Sequence, residues 1–243
     1  MRGTMLLVRA EIIRLRRNRR YMITTLALPI VLYLAIGKSA KAVVYGVDFG
    51  AYYMVAMATF GSFSGALTGN AIRIASERKE GWIRQLRLTP LPANGYVVAK
   101  LAASMAITIP SVVIVLLLGR YYGGVHLAHG WEWIAIAAVV WLGAMIFTAL
   151  AIAIGYRFQP DQVQPIAMLI YFLFLIIGGI FFPLSGVLQR IGEYTPTYQA
   201  VKIATDVIAG ITVPGWLIVG MVVWLAIFSA LAWASVRATA ESV

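Results

Sequence analysis

The residues able to do chemistry are few in this chain, and their distribution excludes more than it permits. There is no cysteine, which removes disulfides, thiolate metal sites and thiol nucleophiles together. His126, His129 and Glu132 are spaced so that a helix could present them on one edge as metal ligands. They fall, however, in a glycine-rich, tryptophan-flanked stretch that reads as a solvated loop, so no metal is expected there. No Gly-rich turn carries the Lys and Ser/Thr that cradle phosphates, and no Ser-His-Asp set or paired carboxylates share a predicted pocket. The chain is therefore not expected to be an enzyme on its own or to hold a cofactor. One segment does concentrate charge and aromatic surface, from Ser76 to Leu91. Trp82, Ile83, Leu86 and Pro90 form an apolar edge, and Glu77, Arg78, Glu80, Arg84 and Arg87 a mixed-charge face. Such a helix, from Ser76 to Leu88 and ended by Thr89-Pro90, suits carrying a push from a soluble partner into the helices it joins. It equally suits an amphipathic loop resting on lipid.

The elements that position these residues follow from composition. The 243 residues are 61% hydrophobic, have a mean hydropathy of +0.86 and are only 12% charged, against about a quarter in soluble domains. A membrane-spanning helix needs about 20 apolar residues, and runs of that order recur at 21–37, 50–72, 96–118, 133–154, 164–182 and 216–236. The fold expected is an all-α membrane protein of six transmembrane helices, forming a single domain over 1–243. The formal charge of +11 is assigned to anionic lipid rather than nucleic acid, because the basic residues cluster beside apolar runs. Residues 1–20 read as an interfacial amphipathic helix, with Leu6, Leu7, Ala10 and Ile13 opposite Arg2, Arg9, Arg16 and Arg20. A secretory signal with Ala40-Lys41-Ala42 as its cleavage site is the second reading. Residues 183–214, broken by Pro183, Gly186, Gly192 and Pro196, are expected to be short re-entrant or surface helices. With the N-terminus inside, the flanking segments on the cytoplasmic side hold fifteen of the twenty basic residues. That asymmetry puts both termini in the cytoplasm.

Two stripes lie within the spans. Gly61, Gly65 and Gly69 recur at four-residue intervals, a face that lets another helix approach closely. Ser62, Thr68 and Asn70 beside it are able to satisfy one another or a ligand. Tyr171, Phe174, Gly178, Phe181 and Phe182 follow one side of the fifth span, where aromatic residues more often pack than bind. No carboxylate, histidine or basic residue stands near a predicted midplane, so the coupled-ion chemistry of many transporters has no obvious seat.

The run Glu77, Glu80, Gly81, Gln85, Leu86, Thr89, Pro90, with the later Lys100, resembles the type-2 ABC permease family. There a cytoplasmic helix ending in Thr/Ser-Pro joins the second and third spans and docks on an ATPase subunit. Trp82 stands where the family has a small hydroxyl residue. Gly178 to Pro183, followed by Tyr194-Thr195-Pro196 and Tyr198, is similar to the family's outer segment, with Thr195 in place of the commoner Asn. The resemblance implies half of a dimeric exporter, paired with a second permease copy or a homologous permease and with ATPase subunits that bind ATP and Mg. The cytoplasmic membrane of a bacterium or archaeon would house it. It implies Glu77, Glu80, Gly81, Trp82, Ile83, Leu86, Thr89 and Pro90 as the ATPase-coupling residues. It also makes Ser62, Thr68, Tyr171, Phe174 and Phe181 pathway residues for an apolar or amphipathic cargo such as a drug. A lipid, polysaccharide or haem exporter, or a non-transporting membrane scaffold, are the rivals.

Overall fold

In lipid no water is present to hydrogen-bond a bare backbone, so a spanning segment must satisfy its N–H and C=O groups internally and becomes a helix. The computed structural model describes residues 2–17, 19–82, 85 and 95–241, which are helical almost throughout. The order is α1 (Arg2–Arg17), α2 (Arg19–Ile36), a hairpin of β1 (Val43–Val44) and β2 (Val47–Asp48), α3 (Phe49–Ser64), a π turn (Gly65–Gly69) and α4 (Asn70–Lys79). It continues with α5 (Gly95–Leu118), a second π turn (Gly119–Gly123), α6 (Gly130–Arg157), α7 (Pro160–Ile177), α8 (Gly186–Gly192), α9 (Pro196–Ala209) and α10 (Gly215–Glu241).

Among the described residues four helical stretches are long and apolar enough to cross a bilayer: Tyr96–Gly123, Gly130–Arg157, Pro160–Ile177 and Gly215–Ala238. They overlap the third to sixth expected spans, but the fifth begins at Pro160 and ends at Ile177, so Gly178, Phe181 and Phe182 stand in the turn beyond α7 and not on its face. The first two expected spans are built less regularly. Helix α2 covers the first expected span with Pro29 inside it, and the second runs through α3, a π turn and α4. The π turn is where Gly65 and Gly69 lie. A widened turn frees carbonyls, and the Asn70 amide donates to Ala66 O at 2.8 Å and to Ser104 Oγ at 2.6 Å. Ser104 in turn pairs with Thr148 Oγ1 at 2.8 Å, so α4, α5 and α6 are joined by a buried polar ladder.

Helix α3 is the axis of the fold. Gly50 to Phe63 are all buried, enclosed by α2, α5, α6 and α9. Helices α7 and α10 lie at the periphery and expose Leu169, Leu173, Val219 and Val222, apolar outside as well as in, as a lipid-facing helix must be.

The two ends of the bundle differ in chemistry. One end carries α1, the close of α4, the start of α5, the α6–α7 turn and the close of α10, with Arg9, Arg14, Arg73, Arg78, Lys79, Lys100, Arg157 and Arg237. The opposite end carries the hairpin, α8 and α9. Tyr45 and Gly46 have φ of 51° and 84°, the left-handed pair that a two-residue hairpin turn requires. The Tyr45 ring lies edge-on to Tyr52 and Tyr198, and burial raises its hydroxyl pKa above the usual phenol value. Residues 183–214 contain α8 and α9 as two short helices. Thr195 caps α9 by accepting from Tyr198 N, and Pro196 to Val201 are buried.

Candidate functional site

The first turns of α5 place Tyr96 and Lys100 four residues apart on one face, toward α4. Lys100 is 1% exposed, and its ammonium is held between two carboxylates, 2.7 Å from Glu77 Oε1 and 2.9 Å from Glu11 Oε1. Both carboxylates are buried as well. The Tyr96 hydroxyl donates to Glu77 Oε2 at 2.8 Å. Arg73 donates to Glu11 Oε2 and Arg14 to Glu77 Oε1, each at 3.2 Å. A buried charge persists only when paired and hydrogen-bonded, and here two carboxylates share three cations and a phenol. The set joins three elements: Glu11 and Arg14 from α1, Arg73 and Glu77 from α4, Tyr96 and Lys100 from α5.

Helix α1 is consequently fastened to the bundle through its Glu11 edge, while Met5, Leu6 and Ile13 face outward. An amphipathic helix resting on lipid with its arginines alone as anchors omits this second, inward face. Glu11 was the missed residue, although it is the sole acidic residue before Asp48. Lys100 is likewise the single charge inside the apolar run 95–118. An unmatched charge of that kind signals a buried partner.

The Ser76 to Leu88 segment is not one helix. Helix α4 ends at Lys79, and Gly81 takes φ of +76°, a left-handed conformation that closes a helix. Arg78 donates to Phe158 O at 2.6 Å, and Phe158 is the residue that terminates α6. The arginine thus caps that helix's carbonyl end and ties the close of α4 to the α6–α7 turn. Beyond the glycine, Trp82 is 38% exposed and Glu80 is exposed. A cleft of about 340 Å³ opens between this corner and α1, lined by Leu7, Ala10, Arg14, Glu80 and Trp82 with the buried carboxylates at its base. Glu77 meets basic residues, but they belong to this chain, and Glu80 is the carboxylate that faces out. Ile83, Leu86, Thr89 and Pro90 lie outside the described residues.

Most residues of the two stripes pack inside the protomer, whereas Phe182 is exposed. Gly61 faces α2 and α5: a Cβ there would stand 3.0 Å from Pro29 Cγ and closer still to Ser111 Oγ. Gly65 and Gly69 are buried within the π turn. Ser62 donates to Ala58 O and Thr59 O, and Thr68 to Ser64 O. Tyr171 is buried and donates to Phe60 O at 2.5 Å. Phe181 packs on Phe60, and Phe174 on Phe147, Trp224 and Phe228. The exposed face of α7 is instead Met168, Leu169, Phe172, Leu173 and Ile176. His129 and Glu132 form a capping box at the start of α6, His126 bonds to Gly124 O, and no group of three potential metal ligands occurs among the described residues.

This architecture has counterparts among known proteins. A family model described as an ABC-2 family transporter protein matches residues 38–236. A chain of Bacillus subtilis (strain 168) named as a candidate transport permease, YvfS, is 27% identical over 205 residues, covering 83% of each chain. With the match running from just past α2 to the last turns of α10, the protein belongs to the ABC-2 family of transporter proteins.

Proposed function

We propose that this chain is the membrane subunit of an ATP-driven exporter, moving an apolar or amphipathic cargo outward with ATP and Mg bound on a separate subunit. In this reading α2 and the α3–π turn–α4 stretch complete six crossings, α8 and α9 sit at the outer surface, and the basic end lies in the cytoplasm. A second permease copy, identical or homologous, completes the pathway against the exposed faces of the bundle. The observation that carries the proposal is the corner at Glu80-Gly81-Trp82. It projects an indole and a carboxylate from the basic end, and its stem is locked to α1, α5 and α6 through Glu77 and Arg78. A force applied to Trp82 would therefore reach several helices at once rather than bend a loop. A membrane scaffold that merely docks a partner would need no such stem.

The test is co-expression with candidate ABC-type ATPase subunits, pull-down of the subunit that binds, and transport-stimulated hydrolysis in reconstituted vesicles. Truncating an aromatic anchor at an interface commonly costs about 2 kcal/mol or more, roughly thirtyfold in affinity, and a rim carboxylate costs less. Trp82→Ala is expected to uncouple hydrolysis from transport more severely than Glu80→Ala, with yield unchanged. Retention of both ATPase binding and transport in Trp82→Ala would refute the coupling role. Retained binding without any transport in the parent would favour the scaffold.

A further inference from the structure

Helices α5, α6 and α10 meet imperfectly toward the basic end. The main core reaches along α10 as far as Phe228. Beyond it a second, smaller cluster of Ile74, Tyr96, Ile152, Ala153, Tyr156 and Ala232 takes over. At this cluster a cleft of about 230 Å³ is lined by Val98 and Leu101 of α5, Ile152 of α6, and Ser229, Ala232 and Trp233 of α10. Its lip is open sideways, since Val98 is 50% and Trp233 57% exposed. One turn further along α10, the Arg237 guanidinium lies 3.8 Å over the Trp233 ring. Among the described residues no carboxylate lies within ion-pair distance of Arg237.

We propose that this cleft is a site for an anionic phospholipid of the leaflet at the basic end, with one acyl chain in the trough and the phosphate on Arg237. Three features select that occupant. The lining is apolar apart from the Ser229 hydroxyl and the Trp233 indole N–H, and its lip opens on the side of the bundle between Val98 and Trp233. Its volume falls below the roughly 300–1,000 Å³ of pockets that enclose a compact ligand, whereas an alkyl chain needs only a trough. At the rim a guanidinium is stacked on an indole with no ion pair among the described residues, a geometry able to grip a phosphate bidentately. Tryptophan and arginine at this height also match the headgroup region. The cleft backs on Tyr96, whose hydroxyl donates to Glu77. A chain seated there therefore buttresses the same stem that holds the Gly81 corner.

The experiment is native mass spectrometry of the purified full chain, titrated with phosphatidylglycerol or phosphatidylcholine of identical acyl chains. The parent is expected to retain one phosphatidylglycerol in preference to phosphatidylcholine by about fivefold, the worth of one arginine near an anionic headgroup. Arg237→Gln should lower phosphatidylglycerol retention to the phosphatidylcholine level. Ser229→Phe, which fills the trough from its exposed lip, should lower retention of both lipids with an unchanged melting temperature. Equal retention by the parent and both variants would overturn the site. An effect of Arg237→Gln without one of Ser229→Phe would reduce it to surface charge and overturn the acyl-chain assignment. Efficient crosslinking between two copies through cysteine at 233 would show that a second protein chain covers the cleft, which also overturns the proposal.

Discussion

Lys100 is the residue on which the basic end turns. Its ammonium bridges Glu11 and Glu77 at a position 1% exposed, so removing it leaves two buried carboxylates short of a cation. Breaking one member of a buried ionic set commonly costs about 3–5 kcal/mol. Lys100→Met, which keeps the volume and loses the charge, should lower the melting temperature in detergent and reduce the yield of folded protein. The Arg14–Glu77 contact is weaker, because Arg14 is 61% exposed and water screens such a pair to about 1 kcal/mol or less. Arg14→Ala should accordingly leave the melting temperature close to the parent's. Equal melting of Lys100→Met and the parent would mean that packing alone holds α1 against α4 and α5.

At the scale of elements, the break between α4 and the Trp82 segment decides where the exposed indole points. Gly81 adopts φ of +76°, and no described residue lies within 4 Å of a Cβ added there, so most other residues are disfavoured here by backbone conformation. Alanine in a left-handed conformation costs about 1–2 kcal/mol, which favours continuing α4 straight through and swinging Trp82 away. Asparagine visits that region readily. Gly81→Ala is expected to lose transport-stimulated ATP hydrolysis while Gly81→Asn keeps most of it, both with parental yield. Identical coupling in the two variants would separate Trp82's role from the angle of this turn. The Tyr45-Gly46 turn of the hairpin rests on the same left-handed geometry, and there the Tyr52 and Tyr198 rings compensate a non-glycine residue.

For the whole molecule the decisive property is the contrast between a uniformly apolar belt and two unlike ends. Basic residues gather with α1 and the α6–α7 turn, and the positive-inside rule is the ground for the proposal that this end is cytoplasmic. The chain contains no cysteine, so single cysteines can be introduced without background. Cysteine at Met5, 77% exposed on α1, should be reached only by a membrane-permeant reagent, and cysteine at Val43, 78% exposed on the hairpin, by an impermeant one added to intact cells. Impermeant labelling at position 5, or a mature chain beginning near Val43, would invert or dismantle the proposed topology.

The sequence by itself determined the class of the protein and most of its helices. A chain 61% hydrophobic cannot hide that surface from water, and residues 96–118, 133–154 and 216–236 became α5, α6 and α10 because lipid leaves an apolar run no other hydrogen-bonded form. The Ser76 to Leu91 segment was legible as distinctive from its charge and its tryptophan. What only the tertiary structure decided was which of its residues face out. Periodicity counts positions along one helix, so it could not register that Gly81 ends α4. Nor could it show that Glu77 turns inward to a lysine 23 residues away and to the N-terminal helix. Tyr171 and Phe174 read as a stripe for the same reason. Whether a stripe faces a pathway or a neighbouring helix depends on α3, α6 and α10, elements far apart in the chain that meet only once the bundle has assembled.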